Sequence, residues 1–113
     1  MSTSGRQLLI AAVKGHRRVE QVMEGFLELD LPGATVVDAK GMGQIVSTEI
    51  PVFSGFRALF PAGGEESYLI LSVVREEQIE EAIRMLRDVC GDFATKGTGI
   101  VITLPVTGYI GPA

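Results

Sequence analysis

From Gln7 to Val13 (QLLIAAV) the chain is apolar almost without a break, a pattern that suits a buried strand. A turn at Lys14-Gly15-His16 follows. Val19, Val22, Met23, Phe26 and Leu27 then recur at spacings of three and four, the period of one helix face. Leu31-Pro32-Gly33 marks the end of that helix, because proline cannot continue it and glycine relaxes the turn. Residues 34–40 (ATVVDAK) are rich in β-branched side chains and predict a second strand. The segment 67–74 (SYLILSVV) is the most strand-like run of all. Beyond it Glu76 and Glu77 open a second helix, where negative charge complements the dipole. Ile79, Ala82, Ile83, Leu86, Val89 and Cys90 form its apolar stripe, and Gly91 stops it. A glycine turn, Lys96-Gly97-Thr98-Gly99, precedes a last strand at 100–106 (IVITLPV), and the tail TGYIGPA carries no pattern.

The order strand, helix, strand, strand, helix, strand predicts an α+β fold: a ferredoxin-like βαββαβ sandwich with a four-stranded antiparallel sheet and both helices on one face. At 113 residues this is one domain spanning 1–113. The strands at 7–13, 67–74 and 100–106 are apolar at nearly every position, whereas a sheet buried on one face alternates. The second face is therefore expected to be covered too. Other subunits in a closed ring are the favoured cover, and the chain's own long loop is the alternative.

That loop runs from Gly41 to about residue 66 (GMGQIVSTEIPVFSGFRALFPAGGEE). Connections between strands are usually far shorter, and one beyond about 15 residues is normally functional or disordered. Its content of Ile45, Val46, Ile50, Val52, Phe53, Phe56, Leu59 and Phe60 is too apolar for a permanently solvated segment. Ile50, Phe53, Phe56 and Phe60 are the candidate partner-binding residues, and part of 50–61 is expected to be ordered against protein.

Composition changes the picture mainly by exclusion. A formal net charge of −4 argues against nucleic acid as a partner, since such binders show a basic stripe. No apolar run approaches the 18 or so residues that span a bilayer. The opening MSTSGRQLLIAAVKG predicts a first strand, not a signal peptide. The lone Cys90 offers neither an intramolecular disulfide nor metal spacing. These absences place the protein in the cytoplasm. No enzyme chemistry is indicated, because the single histidine, His16, has no nucleophile in motif context and Cys90 lies on a helix stripe where burial keeps a thiol inert. His16-Arg17-Arg18 fits a solvated first turn, and Glu76, Glu77, Glu80 and Glu81 fit a solvated helix face.

The two Gly-x-Gly turns, Gly41-Met42-Gly43 and Gly97-Thr98-Gly99, are the best ligand candidates on physical grounds. Glycine lets the backbone turn tightly and bring its N–H groups to an anion. Alternatively both are ordinary strand-end turns. Gln44 is either a loop amide or a partner for phosphate or a base edge, and Lys96 is either a solvated turn lysine or a point charge for phosphate.

The chain resembles the PII signal-transduction proteins (nitrogen regulatory protein P-II) almost end to end. GATVVDAKGMG at 33–43 is similar to that family's second strand running into its T-loop, and Ser47-Thr48-Glu49 through Ser54-Gly55 falls in the loop body. REEQIEEAI at 75–83 is similar to the start of its second helix, and GTGIVITLPV at 97–106 to its B-loop and last strand. The resemblance implies a homotrimer that binds an adenine nucleotide or other small anion as effector in clefts between subunits. It also implies regulation of a partner protein, such as an enzyme, a membrane transporter or a regulator, through the T-loop. On that reading Thr35 offers its hydroxyl to adenine, and Gly41, Met42, Gly43, Gln44, Lys96, Gly97, Thr98 and Gly99 line the cleft.

The chain also departs from the family. Where the family follows its B-loop glycines with a basic residue, Ile100 stands here, and Thr107, Gly108, Tyr109 and Ile110 stand where the family carries phosphate-clamping arginines. Charge-assisted contacts contribute about 1.5–3 kcal/mol each, so losing them weakens triphosphate binding by several kcal/mol. A monophosphate, a cyclic nucleotide or a small carboxylate fits the remaining residues better. The tyrosines are Tyr68 and Tyr109, so the loop lacks the one that some members nucleotidylate. A ligand-independent interaction protein with the same fold is the alternative function.

Overall fold

A computed structural model of the protein describes residues 5–46 and 66–112. The chain runs through β1 (Arg6–Lys14), α1 (His16–Glu28), β2 (Thr35–Ala39), the single turn α2 (Met42–Gln44) and β3 (Ser67–Arg75), then a 3-10 turn (Glu76–Gln78), α3 (Ile79–Cys90) and β4 (Gly99–Pro105). The strands form one antiparallel four-stranded sheet in the order β2-β3-β1-β4. This is the predicted α+β ferredoxin-like sandwich. Ile50, Phe53, Phe56 and Phe60, with the expected ordering of 50–61, lie outside the described residues.

Three local details differ from the pattern-based expectation. The first helix ends at Glu28, with the Leu29 and Leu31 N–H groups bonded back to the Gly25 and Phe26 carbonyls, so the chain has left the helix before Pro32. Glu76 and Glu77 open a 3-10 turn instead of α3 itself, where the Arg75 N–H donates to Gln78 Oε1 at 3.2 Å. Met42–Gln44 forms a helical turn where a plain glycine hinge is expected. Gly15, at φ 89°, supplies the left-handed residue that turns β1 into α1.

The core lies between the sheet and the helices. Leu9, Ala11 and Val13 of β1 and Ile70 and Val74 of β3 point into it, against Val22 and Phe26 of α1 and Ala82 and Leu86 of α3. Each fully buried aliphatic side chain of this kind is worth roughly 1.5–3 kcal/mol. Gly25 lets the helices approach, since a Cβ built there would meet Met85 Sδ at 2.5 Å. Ser72, the one buried polar residue of this core among those described, donates its hydroxyl to the Gly33 carbonyl and so ties β3 to the approach of β2.

On the other face the register aligns Leu8 with Val73 and Leu104, Ile10 with Leu71 and Ile102, and Ala12 with Leu69 and Ile100. Ile100, Ile102 and Leu104 are 55%, 41% and 46% exposed, which for residues of this type forms a continuous apolar surface with no helix over it among the described residues.

Candidate functional site

The two glycine turns lie at the same end of the sheet. Gly99 pairs with Val13, Val13 with Tyr68, and Tyr68 with Asp38, so β4's start and β2's end share a row. Three strand spacings separate them, about 14 Å. Within one chain, then, Gly41–Gln44 and Gly97–Gly99 flank the sheet end and do not converge on a single ligand.

Their glycines differ in cause. Gly99 has φ 136°, and a Cβ there would strike the Ala12 carbonyl oxygen, so close pairing of β4 with β1 already demands glycine. Gly97, at φ 91°, ends a series of tight turns in which the Ala94 N–H donates to Asp92 Oδ1 at 2.9 Å and the Thr98 N–H to the Thr95 carbonyl at 3.2 Å. Gly41 is extended, at φ −78° and ψ 161°, and a Cβ there meets nothing within 4 Å. No local contact among the described residues calls for its being glycine. Met42 is 72% exposed beside it. Lys96 is exposed on its turn.

Between the ends of the long loop lies a cavity of about 310 Å³, lined by Asp38, Lys40, Gln44, Glu66 and Tyr68 among others. Gln44 buries its side-chain oxygen here. The Tyr68 hydroxyl donates to Glu66 Oε2 at 2.5 Å, and the Gly15 N–H donates to the Glu66 carbonyl at 2.9 Å, which pins the returning strand of the loop to the β1–α1 turn. That hydrogen bond to Glu66, then burial, then the Glu66 and Asp38 charges push the Tyr68 phenol up to about 12. Two carboxylates thus face this cavity with Lys40 as the basic lining residue, an electrostatic setting that opposes a phosphate close to Gln44.

Thr35 sits elsewhere. It opposes Leu71 on the open face, at the start of β2 and away from the glycine turns. It lines a second cavity of about 310 Å³ with Leu8, Leu71, Val73, Tyr109 and Pro112. The tail residues Tyr109 and Pro112 carry no signal in the sequence that would assign them here. Tyr109 lies in the segment 107–110 that departs from the resemblance, and Pro112 lies outside it.

No protein-family model and no curated protein matches the chain. Among solved structures, the crystal structure of Arabidopsis thaliana PII bound to citrate aligns at a TM-score of 0.63 and 22% identity, covering 91% of this chain and 78% of that one. The fold is the PII fold. A protein of unknown function from Pediococcus pentosaceus aligns at a TM-score of 0.62 and 15% identity, covering 94% of this chain and 96% of that one. On the PII fold, the loop at 41–66 leaves the sheet between β2 and β3, beside the cavity that Gln44 and Glu66 share.

His16 and Cys90 line neither cavity. His16 Nδ1 is 3.0 Å from Glu20 Oε1 in an exposed pair one helical turn apart, and its ring meets Tyr68 edge-on at 6.0 Å. Burial pushes the half-buried Cys90 thiol up, against a smaller downward pull from Arg18. Among the described residues there is no cluster of three or more metal-ligating side chains, and no helix is long and apolar enough to cross a membrane.

Proposed function

We propose that this protein is a PII-like regulatory protein: a single domain over 1–113 that assembles as a homotrimer, binds a small effector at its subunit boundaries, and regulates a partner protein through residues 41–66. The observation that carries this reading is the open sheet face. Its rows of Leu, Ile and Val side chains need a cover, and copies of the same chain supply one of matching chemistry. The glycine turns support it, because two half-sites about 14 Å apart on one chain are suited to halves of clefts shared with neighbours. The PII fold, and the citrate in the Arabidopsis protein of that fold, favour a small-molecule effector. The role is regulatory and not catalytic, and the regulated target is a protein, a membrane transporter among the candidates.

The effector carries less charge than ATP. Ile100 and the 107–110 segment lack the cations of the resemblance, and Asp38 and Glu66 oppose phosphate at the loop base. A thermal-shift panel of ATP, AMP, cyclic AMP and citrate tests the sensing role: a rise in Tm with a low-charge member is expected, following mass action. No shift with any of them contradicts it and favours the second reading, a ligand-independent oligomeric interaction protein, which the same carboxylates support. Capture of a partner that nucleotide leaves unaltered marks that second reading.

A further inference from the structure

Glu76, Ile79, Glu80, Ile83, Arg84 and Arg87 line a shallow surface depression of about 460 Å³ on the 3-10 turn and α3. Their spacing of three and four residues sets them in one ridge along the helix. Met85, which packs against Gly25 of α1, lies about half a turn round the helix from the midline of that ridge. The ridge therefore occupies the flank of α3 turned away from α1. Ile79 reaches the core cluster from this flank. Ile83 does not: the periodicity of the sequence puts it in the apolar stripe, but it is only partly buried and stands outside the cluster that Ala82 and Leu86 join.

The charges on the ridge are ordered. Glu76 and Glu80 occupy its amino-terminal half, Arg84 and Arg87 its carboxy-terminal half, and all four residues are exposed. Within the chain they are held loosely. Arg84 Nη2 is 3.7 Å from Glu80 Oε1 with side chains 68% and 88% exposed, where solvent and side-chain entropy offset most of the attraction. Glu76 and Arg87 have no ion-pair partner among the described residues. The other acidic residues are placed elsewhere: Glu77 pairs with Arg75 at 3.2 Å, and Glu81 and Asp88 lie about a third of a turn from the ridge's midline. The order acid, acid, base, base is complementary to its own reverse. Against a second copy in antiparallel direction, one register sets Glu76 opposite Arg87 and Glu80 opposite Arg84, each pair twice, with Ile79 opposite Ile83 at the centre. A parallel arrangement would oppose like charges. Packed helices lie about 8–10 Å apart, a distance that glutamate and arginine side chains span together.

We infer that this flank of α3 is a two-fold contact between copies of the chain, α3 against α3 in antiparallel register, separate from the open sheet face. A helix of 12 residues covers less than the roughly 1,200 Å² at which stable interfaces begin, so a single contact is weak and transient. The inference goes beyond the proposed trimer and rests on it for strength only. Each chain of a trimer carries the ridge, and contacts made together gain by effective concentration. Dilute three-chain units stand alone, and concentrated ones pair.

Sedimentation equilibrium of the full chain, from dilute to millimolar protein and at low and high salt, tests it. The mass is expected to rise beyond three chains in concentrated protein at low salt, and to fall back when salt is raised. Arg84→Glu with Arg87→Glu makes the ridge wholly acidic, and Glu76→Arg with Glu80→Arg makes it wholly basic. Each double variant alone is expected to weaken the pairing by about tenfold or more, and an equimolar mixture of the two to restore it. The substituted positions are exposed, so far-UV circular dichroism should match wild type. A wild-type mass that never exceeds its dilute value overturns the contact. So does a rise in mass that both double variants share, because the association then uses another surface, and so does a mixture that stays apart. A dilute mass of one chain removes the trimer proposal alone, and the same rescue by mixing then decides the ridge through a rise towards two chains.

Discussion

Leu9 and Ile10 are neighbours in one strand and live on opposite faces of the sheet. Leu9 is fully buried beneath the helices, whereas Ile10 faces a surface on which Ile102, its partner in β4, is 41% exposed. The helix side is closed by the chain itself: Val22, Phe26, Ala82 and Leu86 fill it. The open side has the same kinds of residue and no cover among the described residues. The difference separates two requirements that composition alone merges. One set of apolar residues folds the chain, and on the proposed reading the other prepares it to assemble.

Substitutions on the two sides should therefore fail in different ways. The largest loss of stability is expected from Leu86→Ala, which leaves a cavity beneath α3 and costs about 2–5 kcal/mol in denaturant unfolding. Gly25→Ala comes next, at about 1–3 kcal/mol, because Met85 must move before α1 and α3 can pack again. Ser72→Ala leaves the Gly33 carbonyl without its donor and should cost about 1 kcal/mol. Ile102→Asp, on the open side, is expected to keep the secondary structure intact while abolishing the dependence of Tm on protein concentration. If Ile102→Asp unfolds the isolated chain as severely as Leu86→Ala, the division between the faces is wrong.

The smallest effect sharpens the loop base. Tyr68 is expected to ionise near pH 12 in an ultraviolet titration, and Glu66→Gln should move it down towards 10. The raised value means that the Tyr68–Glu66 hydrogen bond stabilises the fold fully below pH 10 and is lost as pH rises from there through about 12. A Tyr68 transition unchanged by Glu66→Gln would show that this contact does not hold the returning end of the loop against β3.

Much of the fold was legible because its signals are periodic. The stripe from Ile79 to Cys90 and the β-branched runs of β2 and β3 need only local reading, and element order then leaves few topologies. The α2 turn was not legible, since three residues contain no period. Nor was the contact of the Arg6 guanidinium with the Tyr109 ring, because the two residues are brought together by the pairing of β1 with β4 and not by any motif. The glycine turns were legible as unusual but not as to cause: the Ala12 carbonyl that accounts for Gly99 belongs to a strand far away in sequence. Spacing likewise could not show that Thr35 and Gln44, only nine positions apart in number, line different cavities, because that depends on Thr35 opening β2 while Gln44 lies in α2 beyond the strand's other end.

The central claim is that the open face is an assembly surface for copies of this chain. Sedimentation equilibrium, or light scattering on an eluting peak, measures it directly. The predicted mass is three times the 12.1 kDa of one chain, falling to one chain with Ile102→Asp. A wild-type protein that stays at 12.1 kDa at every concentration would contradict the account, because the apolar rows from Leu8 to Leu104 would then need no second copy to cover them.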